Sequence, residues 1–135
     1  MNILFFLRPK IEVAHIFDHY SVRQAIEVME YHKYSCIPII TKDGKYKGSI
    51  TEGDLLWGLK SLDNYNLKSS ESIPVMSIER RLDYVPVTAD SNMKDLITKA
   101  MDQNYVPVVD DQNNFIGIIT RKDIISYCYE NMKDE

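Results

Sequence analysis

Two seven-residue stretches carry the residue types best suited to holding a polar ligand: Gly48-Ser49-Ile50-Thr51-Glu52-Gly53-Asp54 and Gly117-Ile118-Ile119-Thr120-Arg121-Lys122-Asp123. In each, a threonine stands three residues before an aspartate. A threonine hydroxyl can donate to a phosphate oxygen, and an aspartate carboxylate can accept from two vicinal ribose hydroxyls. Each stretch ends a β-rich run and opens a helical one, so the first turn of a helix adds open backbone N–H groups and a positive dipole end. Upstream, Pro38 and Pro107 sit in apolar runs that can offer a flat wall and backbone groups to a purine. The same Thr-x-x-Asp spacing is close to a helix capping box. Two copies are also what a duplicated fold with duplicated caps would show, so spacing alone leaves both readings open.

The elements that must position these residues come in two copies as well. Ile37-Pro38-Ile39-Ile40 aligns with Val106-Pro107-Val108-Val109 at an offset of 69 residues, and the same offset carries Gly48 to Gly117, Thr51 to Thr120 and Asp54 to Asp123 without a gap. Ser21 pairs with Ser91 at an offset of 70. Self-similarity of this kind marks a repeat architecture. Each repeat reads as strand, helix, strand, strand, helix. In the first, 13–17 is a short β-rich run, and Val22, Ala25, Ile26 and Met29 recur on one helical face. The run 37–40 is a buried strand, Asp43-Gly44 a hairpin turn, 46–51 the next strand, and Leu55, Leu56, Leu59 and Leu62 mark a second helix. In the second, 84–88 opens as a strand, and Met93, Leu96, Ile97, Ala100 and Met101 form a helical stripe. Strands at 106–109 and 115–119 are joined by a polar loop, and Ile124, Ile125 and Cys128 lie on a last helix.

Strand pairs with helices on one face give an α+β fold, two β-α-β-β-α repeats packed about a pseudo-twofold axis with clefts between them. The division is 1–62 for the N-terminal segment and first repeat, 63–75 for a polar linker, and 76–135 for the second repeat and tail. Repeats of this size would be marginal alone and are expected to share a core.

Bulk properties narrow the function. The 135 residues are 44% hydrophobic and 27% charged, as in ordinary globular proteins, and the net charge is −4, which argues against broad nucleic-acid binding. The apolar start, Met1 to Pro9, is too short to span a bilayer and lacks the features of a signal peptide, so a cytoplasmic protein without membrane contact is expected. Cys36 and Cys128 lie in apolar runs and read as buried thiols. His15, Asp18 and His19 suggest a metal site only weakly, because on a strand the two histidines would stand about 13 Å apart. No nucleophile elbow, phosphate-binding loop or cysteine–histidine pair is present, so neither catalysis nor a metal centre is expected.

The strand proline followed ten residues later by Gly-x-Ile-Thr-x-x-Asp, present twice, resembles the signature of CBS (cystathionine-β-synthase-type) domains. The tandem resembles a stand-alone Bateman module, over about positions 9 to 131. The resemblance implies a regulatory module without a required cofactor. Its effector would be an adenine nucleotide or adenosyl ligand (AMP, ADP, ATP, S-adenosylmethionine or cyclic di-AMP) bound in the clefts between repeats. It implies that Asp54 and Asp123 hold ribose, that Thr51 and Thr120 approach phosphate, and that backbone near Ile37 and Val106, beside Pro38 and Pro107, faces adenine. It also implies that Lys10 and Arg80, with Arg81, face the ligand, and that the chain forms a homodimer and signals to an effector protein.

The copies differ between Thr and Asp. Arg121-Lys122 in the second suits phosphate, whereas Glu52-Gly53 in the first would repel it, so the second motif is expected to favour phosphorylated ligands. Trp57 and the helices after Asp54 and Asp123 are candidates for the dimer surface. The alternative function is a constitutive interaction or dimerisation module whose motifs act only as caps.

Overall fold

Each α-helix begins where the sequence supplies a side-chain acceptor for the open N–H groups of its first turn. In the computed structural model, which describes residues 2–62 and 66–133, Ser21 caps α1 (Val22–His32) and Thr51 caps α2 (Glu52–Ser61). Asn92 caps α3 (Met93–Ala100), and Thr120 caps α4 (Arg121–Met132). Helix α1 ends on Lys33, whose φ of 59° turns the chain out of the helix. The strands are β1 (Arg8–Pro9), β2 (Ile16–Phe17), β3 (Cys36–Ile40), β4 (Tyr46–Thr51), β5 (Tyr105–Val109) and β6 (Phe115–Thr120). Helices alternating with largely antiparallel strands make the chain α+β.

The chain divides into two compact units, one of Ala14–Asp83, the other joining Met1–Val13 to Tyr84–Glu135. In the first, β3 lies between β2, which runs parallel to it, and β4, which is antiparallel. Ile37, Ile39 and Ile50 share a core with Val22, Ala25 and Met29 of α1 and Leu55 of α2. Strand alternation therefore puts Pro38 and Ser49 on the other face of the sheet. The turn after β3 is closed by Thr41, whose N–H donates to the Lys45 carbonyl at 2.8 Å. Of the stretch expected as a linker, 63–65 lie outside the described residues, and the chain from Ser70 to Val75 is packed down onto α1. Ser70 is buried, the Ile73 carbonyl accepts from Val22 N–H at 2.8 Å, and Val75 N–H donates to the Tyr20 carbonyl at 2.9 Å.

In the second unit β6 lies between β1 and β5, antiparallel to both. Its core joins Ile3 to Leu96, Val106, Val108, Ile119 and Ile124. The Asp110 carboxylate closes the β5–β6 loop by accepting from the N–H groups of Gln112 and Asn114 at 2.9 and 2.8 Å.

The two opening strands are shorter than the sequence suggests. At 13–17 only Ile16–Phe17 pairs; Val13 N–H turns back to the Lys10 carbonyl, and Ala14 N–H goes to the Tyr34 hydroxyl. At 84–88 only a single parallel bridge, Val87 to Val108, remains. Pro86 has no N–H to give a ladder, and Val85 N–H is taken by the Gln103 side chain at 3.0 Å. The strand β1 has no counterpart in the sequence reading. Cys36 is buried as expected, but Cys128 is only half-buried.

Candidate functional site

The first motif spans the β4–α2 junction. Thr51 and Asp54 form a reciprocal capping box: Thr51 Oγ1 accepts from Asp54 N–H, and Asp54 Oδ2 accepts from Thr51 N–H, both at 3.0 Å. The other carboxylate oxygen of Asp54 accepts from Arg81 N–H at 3.1 Å. Asp54 is 3% exposed, so its carboxylate is enclosed by backbone donors of its own unit. Gly48 lies beneath an Arg80–Asp83 ion pair of 3.3 Å. Its φ of +146° favours glycine, and a Cβ there would push aside the ends of two side chains, standing 2.6 Å from Asp83 Oδ1 and 2.8 Å from an Arg80 guanidinium nitrogen. Beside it, Tyr46 Oη and Ser49 Oγ lie 2.9 Å apart, both buried. Burial pushes the Tyr46 phenol well above its ordinary range, against the opposing hydrogen bond from Ser49.

The second motif spans the β6–α4 junction and is built differently. Thr120 Oγ1 accepts from Asp123 N–H at 3.1 Å. The Asp123 carboxylate faces Arg8, with Nε 3.2 Å from Oδ2 and a terminal guanidinium nitrogen 3.4 Å from Oδ1. The Asp123 side chain is 31% exposed and that of Arg8 51%. The Arg8 guanidinium holds the Asp123 carboxyl below the usual carboxylate range, and Thr120 and Lys122 act in the same direction against partial burial. Gly117, at φ +155°, makes this possible: a Cβ there would collide with the Arg8 carbonyl oxygen and stand 2.8 Å from Leu7 Cδ1. Strand β1 thus crosses β6 at the glycine, in register Arg8 to Ile118 and Pro9 to Gly117.

The structure therefore brings Thr51 to Asp54 and Thr120 to Asp123, and adds Arg80 to the first motif. It places Arg121 elsewhere. Arg121 Nε donates to the Ala100 carbonyl at 2.8 Å, and its N–H to the Asn104 carbonyl at 3.0 Å, so the side chain closes the end of α3. The cation at the second carboxylate is Arg8. Lys10 sits in a 3₁₀ turn, Lys10–Glu12, beyond β1. Ile37 and Val106 are fully buried in their cores, and the Pro107 carbonyl accepts from Val87 N–H at 2.9 Å. Sequence reasoning missed Arg8, Asp83 and Tyr46. Tyr46 and Ser49 could have been noticed, because the offset of 69 replaces them with Phe115 and Ile118.

Around the histidines, Phe17 stacks on His19 at 5.6 Å and meets His15 edge-on at 5.4 Å. Among the described residues no group of three or more His, Cys, Asp or Glu could hold a metal. No described helix is long and apolar enough to cross a membrane.

The family model for the CBS domain matches residues 8–61 and again 74–130. Among curated relatives, the glycine betaine/carnitine/choline transport ATP-binding protein OpuCA of Bacillus subtilis is 25% identical over 114 residues, covering 83% of this chain and 27% of that protein. The chain thus spans about a quarter of that relative's length. The structure of CbpB in complex with c-di-AMP superposes with a TM-score of 0.83 at 24% identity, covering 99% of this chain and 88% of that one. The structure of CBSX2, an Arabidopsis thaliana protein, in complex with AMP gives a TM-score of 0.73 at 21% identity, covering 97% and 98%. At these identities the two structures establish the shared fold.

Proposed function

The chain belongs to the CBS domain family, and on that premise we propose that it is a regulatory, non-catalytic module that takes an adenine nucleotide or adenosyl ligand at its Thr-x-x-Asp motifs and signals occupancy to a partner protein in the cytoplasm. The observation that carries this reading is the Asp123 carboxylate. It is ionised, a third exposed, and set at the start of α4 with its cap made by Thr120 and its own backbone N–H, so the carboxylate is not needed for the cap. A capping aspartate that served only the helix would turn back to the N-cap N–H, as Asp54 does. The fold is shared with two proteins whose structures hold c-di-AMP and AMP, which supports an adenine ligand here.

The second motif is the principal site, and the buried Asp54 makes the first the weaker of the two. We do not assign phosphate selectivity to Arg121, whose Nε donates to the Ala100 carbonyl. Leu56 and Trp57 on α2 and Ile125, Tyr129 and Met132 on α4 are each at least half exposed, and we assign these helices to a homodimer contact. A ligand shifts the state of such a module only if it binds one arrangement more tightly than another.

Isothermal titration with AMP, ATP, S-adenosylmethionine and cyclic di-AMP, repeated on Asp123→Ala, tests the reading. Saturable binding that the substitution abolishes is the expected result. Absence of binding across all four ligands would sink the sensor reading and favour a ligand-free interaction module.

A further inference from the structure

Arg8 and Asp123 meet at two points, Nε on one carboxylate oxygen and a terminal nitrogen on the other, at 3.2 and 3.4 Å. A ribose with both secondary hydroxyls free presents the same pattern, two donors side by side. Guanidinium and diol are therefore competitors for one face of one carboxylate. They cannot both take it, and the part of the pair that must move is half exposed and at the end of a long side chain. The backbone of Arg8 does not have to move with it. Strand β1 is paired to β6 over Gly117, and the segment is anchored by Ile3, fully buried in the core of its unit. A displaced guanidinium thus stays tethered beside the motif.

Resting on the adenine-ligand reading above, we infer that Arg8 is an internal stand-in for the ligand at the second motif: it holds Asp123 until a vicinal diol takes the carboxylate, and then pairs with the ligand's phosphate. The site in consequence selects a nucleoside 5′-phosphate with both ribose hydroxyls free. A bare nucleoside breaks the ion pair and offers Arg8 no anion in exchange. An adenosyl sulfonium supplies the diol but brings positive charge to Arg8. A 3′,5′-cyclic dinucleotide brings phosphate, but its 3′ oxygens are esterified and each ribose offers one hydroxyl. Only the 5′-phosphorylated nucleoside satisfies both partners of the broken pair.

The test compares AMP with adenosine on the full chain, as wild type, Arg8→Gln, Arg8→Lys and Arg121→Gln, with thermal unfolding confirming that each variant is folded. Wild type is expected to bind AMP roughly 10- to 100-fold more tightly than adenosine, the worth of one charge-assisted contact. That ratio should shrink as salt is raised. Arg8→Gln should bind adenosine at least as tightly as wild type, because the competitor is gone, and should bind AMP more weakly. Its ratio falls to near one and no longer depends on salt. Arg8→Lys should keep a preference for AMP, and Arg121→Gln should keep the wild-type ratio. If Arg8→Gln retains the wild-type ratio, weakens both ligands equally, or yields its effect to Arg121→Gln, this inference is overturned while the sensor reading stands. If neither ligand binds any form of the chain, this inference fails, and if ATP, S-adenosylmethionine and cyclic di-AMP do not bind either, the sensor reading fails with it. Tighter binding of cyclic di-AMP than of AMP by wild type, unchanged in Arg8→Gln, overturns the selectivity alone.

Discussion

The backbone N–H of Arg81 donates to the carboxylate of Asp54 at 3.1 Å, joining positions 27 residues apart, while the same carboxylate closes the cap of α2 through Thr51 N–H. Asp54→Ala leaves two backbone donors without their acceptor in a site that is 3% exposed. A cost of about 3 kcal/mol is expected, the scale of orphaned buried donors. Asp123→Ala removes a half-exposed ion pair and no cap bond, and should cost about 1 kcal/mol or less. Urea unfolding of the two variants checks this. Equal losses would mean that the two aspartates serve the same structural purpose.

Gly117→Ala sets a Cβ against the carbonyl oxygen of Arg8 at a φ of +155°. The backbone of β1 has no rotamer with which to step aside, so a loss of about 2–3 kcal/mol is expected. The N-terminal segment should also become more open to limited proteolysis. Gly53→Ala is the control. Its nearest neighbour would be 3.7 Å away, and alanine in the first turn of α2 should be neutral or stabilising by up to about 1 kcal/mol. A Gly117→Ala chain as stable and as protease-resistant as wild type would show that β1 does not need its close approach to β6.

The Asp123–Arg8 pair also fixes the sign of one pH effect. The folded-state value of Asp123 is lowered, chiefly by Arg8. Its contribution is therefore fully present above the unfolded value of about 3.9 and is lost as pH falls through the lower folded value. Stability measured from pH 5 down should fall less steeply in Arg8→Gln than in wild type. Identical slopes would show that the pair does not outlast solvent screening.

Much of the fold is legible in the sequence. The strands 37–40, 46–51 and 106–109 announce themselves because apolar runs of strand length are bounded by turn residues. The helices α1 and α3 do so because Val22, Ala25, Ile26 and Met29, and likewise Met93, Leu96, Ile97 and Ala100, recur at helical spacing, although the cap of α3 is Asn92 and not the Ser91 that the repeat offset pairs with Ser21. The features hidden from the sequence are tertiary. Nothing near Arg8 in sequence names Asp123 as its partner, and Arg121, the cation beside Asp123 in sequence, donates its Nε to the Ala100 carbonyl while Arg8 pairs with Asp123. The glycines are visible, but not what covers them: the Arg80–Asp83 pair on Gly48 and the backbone of Arg8 on Gly117. Spacing alone cannot separate cap from ligand site, and the structure makes a full capping box at Asp54 and not at Asp123.

The difference between the repeats extends to the sheet. In the first repeat Tyr46 and Ser49 put two hydroxyls 2.9 Å apart in a buried place, where the second repeat has Phe115 and Ile118. Two hydroxyls that share a hydrogen bond are coupled, because removing either one ends the same bond. Tyr46→Phe and Ser49→Ala should each cost about 1 kcal/mol, and the double variant about the same as either, giving a coupling near 1 kcal/mol. The cycle is cleanest by denaturant unfolding at constant slope, because both substitutions remove atoms and add none. Strict additivity would mean that the two hydroxyls find their partners elsewhere in the unit. Coupling of the expected size would make this pair the polar feature that the second repeat has exchanged for apolar packing.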